Sequence, residues 1–298
     1  MLNKAFIHDL INKAKAFDDE LFKLPGLTCE ANLKVRRFDK IHPEISGNKI
    51  FKLSGWLEDY KTNNSILSFG GAYSNHLLAL SAVGKAMGIK TIGIVRGEQP
   101  KHLNNILKQM QNNGMLLYYI SRAEYRDKTT LEFEKILKQR FGEVFIIPEG
   151  GSGLPGAFGA MKMVAENEDF DYFILPGGTG TTALGLAMKF EHKPTKIICF
   201  QVLKGVAILK NEIRKQTGLA CEAFPNLIFN EDFHFNGYAK FNQELIDFQA
   251  SFLQLNGWKP DLIYGAKALY GLSKLLASGK LKSQKSNICY IHTGGIFD

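Results

Sequence analysis

Apolar positions along this chain keep two periods in turn. Residues 3–22 set Phe6, Leu10, Ile11, Ala14 and Phe17 on one side of an amphipathic helix. Residues 26–37 have turn and short-strand character, and a helix then runs from about Lys49 to about Tyr60. Beyond it, short apolar runs of strand length alternate with stretches of helical period. Strands are expected at 65–69, 91–95, 115–120, 144–147, 171–175, 196–202 and 288–292. Helices are expected at 74–87, 102–112, 130–141, 154–166, 181–190, 207–216, 241–255 and 267–278. Such alternation predicts an α/β chain of βαβ units, with open, twisted, mostly parallel sheets carrying helices on both faces. In those sheets a ligand sits at the carboxyl ends of strands, in the loops entering the next helices.

Four such loops are rich in glycine and polar residues. They are Gly70-Gly71-Ala72-Tyr73-Ser74-Asn75-His76, Pro148-Glu149-Gly150-Gly151-Ser152-Gly153, Pro176-Gly177-Gly178-Thr179-Gly180-Thr181-Thr182 and Thr293-Gly294-Gly295. The third follows a strand and opens a helix, so its N–H groups and threonine hydroxyls suit an anion. It lacks a Walker lysine and the full dinucleotide glycine spacing, which favours a small phosphate-bearing group over a nucleotide. Ser74 and Asn75 are ordinary helix caps, and a carboxylate docked on the same free N–H groups is their functional reading. His76 at that helix start reads first as a satisfied structural residue.

Ahead of these loops lies Ser46-Gly47-Asn48-Lys49-Ile50-Phe51-Lys52. Lys49 stands at a helix start, where the partial positive charge disfavours an ammonium and lowers its pKa. A free amine is what a carbonyl needs to form a Schiff base. Lys52, one turn on, adds a cation suited to a phosphate on the same aldehyde. Two tyrosines sit at promising junctions, Tyr264 before a helix and Tyr238 in a Gly/Asn-rich loop. A phenol near a cationic cofactor has its pKa lowered and then serves as acid or base.

Composition narrows the partners. The 298 residues are 45% hydrophobic and 22% charged, an ordinary globular balance for one large domain or two coupled ones. The net charge of +8 is spread over residues such as Lys85, Lys101 and Lys135 without a basic run, so no nucleic-acid partner is expected. The four cysteines show no metal-ligand or disulfide spacing, and Cys199 and Cys289 lie in apolar runs, as in a reducing compartment. The N-terminal stretch is broken by charge and no apolar run is long enough to span a bilayer, so a cytoplasmic protein without membrane attachment is expected.

Taken together these motifs resemble the pyridoxal-phosphate enzymes of the tryptophan-synthase-β fold type. Within that type the chain is similar to the D-cysteine desulfhydrase / 1-aminocyclopropane-1-carboxylate (ACC) deaminase family. The likeness rests on Ser46-Gly47-Asn48-Lys49, the Ser68–His76 loop, Arg96-Gly97-Glu98, Pro148-Glu149-Gly150-Gly151-Ser152 and the glycine-threonine loop. Asp261-Leu262-Ile263-Tyr264-Gly265-Ala266-Lys267 and Tyr290-Ile291-His292-Thr293-Gly294-Gly295 complete it, in the family's order. The resemblance implies that Lys49 holds pyridoxal 5′-phosphate as a Schiff base. It implies that Gly177, Gly178, Thr179, Gly180, Thr181 and Thr182 bind the phosphate with Lys52, that Asn75 bonds the ring 3′-oxygen, and that Thr293 belongs to the cofactor site. Ser74 becomes nucleophile or proton handler, Ser74, Asn75 and His76 hold the substrate, and Tyr238 and Tyr264 face the reacting carbon. It further implies a large domain from residues 1–53 and 158–298, a small inserted domain from 54–157, and a homodimer.

Three positions depart from the family pattern. Phe51 stands where the family usually has Arg. Gly265 replaces the Glu that ACC deaminases set against the pyridine nitrogen, or the usual Thr of desulfhydrases, and its lack of a side chain is expected to enlarge the pocket. Thr293 follows the desulfhydrases, and a hydroxyl there leaves the ring nitrogen largely unprotonated. The expected activity is therefore a pyridoxal-phosphate lyase or deaminase on a small amino acid, through β-elimination giving pyruvate and ammonia. The alternatives are ACC deamination, a cofactor-binding homologue with impaired turnover and, from another class, a nucleotide-cofactor oxidoreductase on a Rossmann sheet.

Overall fold

The computed structural model describes residues 5–61 and 64–295. In chain order its elements are α1 (Ala5–Lys15), β1 (Glu20–Leu21), β2 (Asn32–Arg36), α2 (Lys49–Glu58), β3 (Ser65–Gly70), α3 (Asn75–Met87), β4 (Thr91–Arg96), α4 (Asn105–Asn112), β5 (Leu116–Ile120) and α5 (Leu131–Phe141). They continue with β6 (Val144–Ile147), α6 (Leu154–Ala160), β7 (Tyr172–Gly177), α7 (Thr181–Lys189), β8 (Lys196–Gln201), α8 (Ile208–Thr217), β9 (Leu227–Asn230), α9 (Gln243–Asn256), α10 (Gly265–Ala277) and β10 (Asn287–Ile291).

The strands form two sheets, one of six in the order β1-β2-β10-β7-β8-β9 and one of four in the order β5-β4-β3-β6. All neighbours run parallel except β1 against β2. The central strands explain the choice. Phe173, Ile174 and Leu175 of β7, like Ile288 to Ile291 of β10, have no exposed surface, which a strand needs only when helices cover both faces. The α/β, mostly parallel architecture expected from the alternating pattern is the one observed.

Local differences have local causes. Residues 3 and 4 of the first expected helix lie outside the described residues, and α1 ends at Lys15 rather than reaching 22. Glu20 and Leu21 instead pair antiparallel with β2. The helix expected over 154–166 stops at Ala160 and tightens into a 3₁₀ turn, Met161–Met163, before Val164 turns extended. The short edge strand β9 was not expected from the pattern, because only four residues after Pro225 and Asn226 carry it.

Helices α2, α6 and α7 bind the two sheets together by touching backbone to backbone. A Cβ placed on Gly55 would lie 1.8 Å from the Pro155 carbonyl oxygen, and one on Gly159 would lie 2.0 Å from that of Phe51. Only glycine permits this approach. Phe51 itself is fully buried and packs on Phe38 at a ring separation of 4.9 Å. Its departure from the family's Arg therefore concerns the core and not the cleft. Cys199 and Cys289 are buried free thiols, whose pKa burial raises. Among the described residues no helix is long and apolar enough to cross a membrane.

Candidate active site

A cleft of about 490 Å³ opens where the carboxyl ends of the two sheets face each other, and all four glycine-rich loops contribute to its walls. Lys49, at the first position of α2, projects from its floor. The turn before it is pinned to the end of β10. Gly47 adopts φ +69, and a Cβ there would lie 1.9 Å from the Thr293 carbonyl oxygen. The Asn48 N–H donates to that same oxygen at 3.3 Å. The Lys49 amine donates to Asn48 Oδ1, while Asn48 Nδ2 donates to Thr182 Oγ1 at 2.7 Å.

Burial pulls the Lys49 amine down to about 8, against the opposing attraction of the Asp261 carboxylate. The direction matches expectation but the cause does not: loss of water, rather than the helix start, dominates. Lys52 is buried too, and desolvation together with Lys49 holds it well below the ordinary lysine range. Its Nζ reaches Thr179 Oγ1 at 3.4 Å.

The loop before α7 is built for an anion. Gly180 caps the helix with φ +71, leaving the first-turn N–H groups beside Thr179, Thr182 and Ala183 on the cleft wall. Gly177 and Gly178 line the same wall. Thr181 does not: its hydroxyl turns back to donate to Gln216 Oε1 at 2.8 Å. Gln216 Nε2 donates to the Thr179 carbonyl at 2.8 Å, and the Gly153 N–H donates to Gln216 Oε1 at 3.1 Å. One glutamine on α8 thus ties the phosphate-type loop to the loop after β6.

At the start of α3, Ser74 is the helix cap, its Oγ accepting from the Leu77 N–H at 3.2 Å. That bond leaves the hydroxyl proton free to donate into the cleft. Asn75 Oδ1 is buried and has no hydrogen-bond partner among the described residues. His76 lines the cleft but is anchored away from it. Ser68 Oγ donates to the Ile147 carbonyl at 2.7 Å, so the 2.8 Å contact requires His76 Nε2 to donate to Ser68. His76 Nδ1 is left a buried acceptor without a partner. Burial, with Lys52 and Lys49 adding to it, holds this imidazole well below its ordinary pKa.

Tyr238 and Tyr264 meet across the cleft with ring centroids 5.9 Å apart at 73°. The lowering expected of their pKa depends on a cationic cofactor beside them, and the protein's own groups act in the other direction. Burial raises both, Tyr264 further because it also faces Tyr238 and Asp261. The phenols are held as proton donors.

Gly265 is also corrected. It does not line the cleft, and a Cβ there would meet Asp261 Oδ2, Pro260 Cβ and the Tyr290 hydroxyl, each at 3.1 Å. Asp261 occupies the space that was expected to open. Its carboxylate accepts from the N–H groups of Ile263, Tyr264 and Gly265 at 3.0, 2.7 and 2.9 Å, fixing the entry into α10.

Asn48, Gln216 and Asp261 were not assigned roles from sequence. Asp261 had a signal, an acidic residue just before a helix start. Gln216, inside an exposed-looking helical pattern, had none. The remaining features fit pyridoxal phosphate. A desolvated amine, a helix start with a second buried cation, and an unpartnered buried amide oxygen are the donor set an aromatic aldehyde phosphate requires.

Known proteins resemble this chain over nearly its whole length. A Thermotoga maritima protein provisionally named a 1-aminocyclopropane-1-carboxylate deaminase is 30% identical over 290 residues, covering 89% of each chain. The mitochondrial bifunctional D-cysteine desulfhydrase/1-aminocyclopropane-1-carboxylate deaminase of Arabidopsis thaliana is 24% identical, covering 92% of this chain and 75% of that one. The crystal structure of an ACC deaminase homologue superposes with a TM-score of 0.76 at 25% identity, covering 99% of this chain and 96% of the other. Matching their family model from residue 20 to residue 294, the chain belongs to the pyridoxal-phosphate dependent enzymes.

Proposed function

We propose that this enzyme catalyses β-elimination on a small amino acid, in the manner of a D-cysteine desulfhydrase, and that hydrolysis of the resulting enamine by water gives pyruvate and ammonia. One observation carries the choice of reaction. Thr293 lines the cleft, while the Asp261 carboxylate is locked behind it on three main-chain N–H groups. Thr293 rather than an acid would then be the partner offered to the ring nitrogen, and a weak electron sink of that kind would suit loss of a β-substituent.

In this reading Lys49 bonds the aldehyde, the N–H groups at the start of α7 and Lys52 hold the phosphate, and Asn75 takes the 3′-oxygen. Bound there, the cofactor supplies the delocalised ring that stabilises negative charge at the substrate's Cα. With its pKa lowered to about 8 by burial, the Lys49 amine would be available in its neutral form to accept the Cα proton. The start of α3 presents N–H groups to the substrate carboxylate, and the Ser74 hydroxyl donates beside it. Tyr238 and Tyr264, both kept protonated, supply the proton that leaves with the departing sulfide. The division at residues 53/54 and 157/158, the homodimer and the cytoplasmic location are part of the same proposal.

Membership of the family removes the nucleotide-cofactor oxidoreductase from consideration. ACC ring opening is a second reading, favoured by the names of the Thermotoga and Arabidopsis relatives. A keto-acid release screen over D- and L-cysteine, D- and L-serine, β-chloroalanine and ACC separates the readings. Pyruvate from a cysteine or β-chloroalanine supports elimination, and 2-oxobutanoate from ACC supports ring opening. Retained cofactor with no keto acid from any of them indicates a homologue without turnover.

A further inference from the structure

Lys267 has no exposed surface, although it is a lysine on a helix at the rim of the cleft. Its Nζ donates to the main-chain oxygens of His234 at 2.9 Å and Gly237 at 2.7 Å. Among the described residues no carboxylate lies within ion-pair distance of it. A buried amine of this kind costs stability compared with a packed apolar side chain, so filling space does not explain it. What it supplies and an apolar residue lacks is a pair of directed hydrogen bonds.

The segment it grips is strained. Phe235, Asn236 and Ala239 have φ of 50, 66 and 54, the left-handed region that side chains enter at a cost. Such conformations persist where the surroundings over-determine them. A second anchor also comes from α10, since the Phe235 ring packs edge-on against Tyr270 at 5.1 Å and 76°. Between the strained residues stands Tyr238, whose ring meets Tyr264. Tyr264 is the residue that opens α10. One helix start therefore carries one tyrosine directly and holds the other through a lysine.

We propose that Lys267 is a positioning residue, bridging the carbonyls of His234 and Gly237 so that the strained loop delivers Tyr238 to the cleft beside Tyr264. The inference rests on the reading of Tyr238 as a proton donor at the reacting carbon. Burial pulls the Lys267 amine down to about 8, with Asp261 opposing, yet an amine donates these hydrogen bonds in either protonation state.

The test is Lys267→Met, of similar length but without donors, made alone and with Tyr238→Phe in the full-length protein. Amide hydrogen exchange over residues 234–240 should accelerate at least about ten-fold, with β7 and β8 unchanged, since losing a tether opens that unit alone. Turnover should fall about 10²-fold with KM little changed, the size of effect a misplaced group produces. In the Tyr238→Phe background the further loss should stay under about two-fold, because residues acting as one unit are not additive. Lys267→Arg should restore part of both. Equal proportional losses in the two backgrounds, or an unchanged loop exchange, would overturn the proposal. Should Lys267→Met not fold, Lys267→Gln gives the same comparison with a shorter side chain and a neutral amide in place of the amine. If the wild-type chain turns over no substrate, it is the functional reading that fails, and the exchange measurement still decides the tether.

Discussion

Asn48 and Thr182 are joined by a buried hydrogen bond of 2.7 Å although 134 residues separate them in the chain. The other end of the same amide accepts from the Lys49 amine. A single side chain therefore sets the spacing between the amine that bonds an aldehyde and the helix start that holds its phosphate. Asn48→Leu leaves both partners unsatisfied, and a stability loss of about 1–3 kcal/mol is expected for such groups. Urea unfolding measures it. Asn48→Asp keeps the acceptor for Lys49 and replaces the donor to Thr182 by an acceptor to which the Thr182 hydroxyl can donate, so it should cost less, while its charge raises the Lys49 pKa. An Asn48→Leu protein as stable as the wild type would show that the amide is not the spacer.

Gln216 makes a different prediction, because it touches the loop and not the reacting centre. It holds Thr179, Thr181 and Gly153 through three hydrogen bonds. Gln216→Ala should loosen the loop before α7 and weaken cofactor retention about ten-fold, the equivalent of one net hydrogen bond. Turnover at saturating cofactor should change little. Equilibrium dialysis against pyridoxal phosphate reads the first, and steady-state rates read the second. A fall in turnover with unchanged retention would place Gln216 elsewhere in the mechanism.

How much of this was legible beforehand depended on the range of the interaction. Alternating periods identified the parallel strands and their helices, and the glycine-rich loops named the cleft, because each signal lies within one short stretch of chain. Ser74 marked a helix start and does accept from the N–H three residues on, whereas Asn104 and Thr130 cap their helices in the same way without having been singled out. Gln216 and Asn48 escaped because their partners lie 35 and 134 residues away. Gly265 was misread for a related reason. An absent side chain reads as space, yet Asp261, four residues earlier, folds back to fill it. The tyrosines were expected to be acidified by a cationic cofactor, and their own burial opposes that effect.

His76 should make the protein acid-sensitive. Its folded-state pKa is held well below the ordinary 6.5 by burial and by the two lysines. As the pH falls through about 6.5 the unfolded chain takes up a proton that the folded chain refuses, so stability drops until the folded pKa is reached. His292, lowered chiefly by burial, contributes with the same sign. His76→Gln keeps a donor for Ser68 without the titration. Its urea midpoint should decline less than the wild type's between about pH 7 and pH 5, a window that brackets the unfolded histidine. Parallel declines would mean that His76 is protonated in the folded state.

Lys49 should leave its mark at the other end of the scale. Its folded pKa of about 8 lies below the ordinary 10.5, so between those values the unfolded chain binds a proton that the folded chain does not. Stability of the cofactor-free protein should therefore rise through that window, and Lys267, also near 8, adds to the slope. Lys49→Met should remove the part of the slope that belongs to Lys49. The same amine should set the rate of cofactor uptake, which requires its neutral form and should climb with a midpoint near pH 8. Borohydride reduction of the loaded protein, followed by peptide mapping, then identifies the bonded lysine. Label on Lys49 is the expected result. Label on Lys52, the other buried cation of the cleft, would reverse the roles of the two and move the aldehyde to the place proposed for the phosphate.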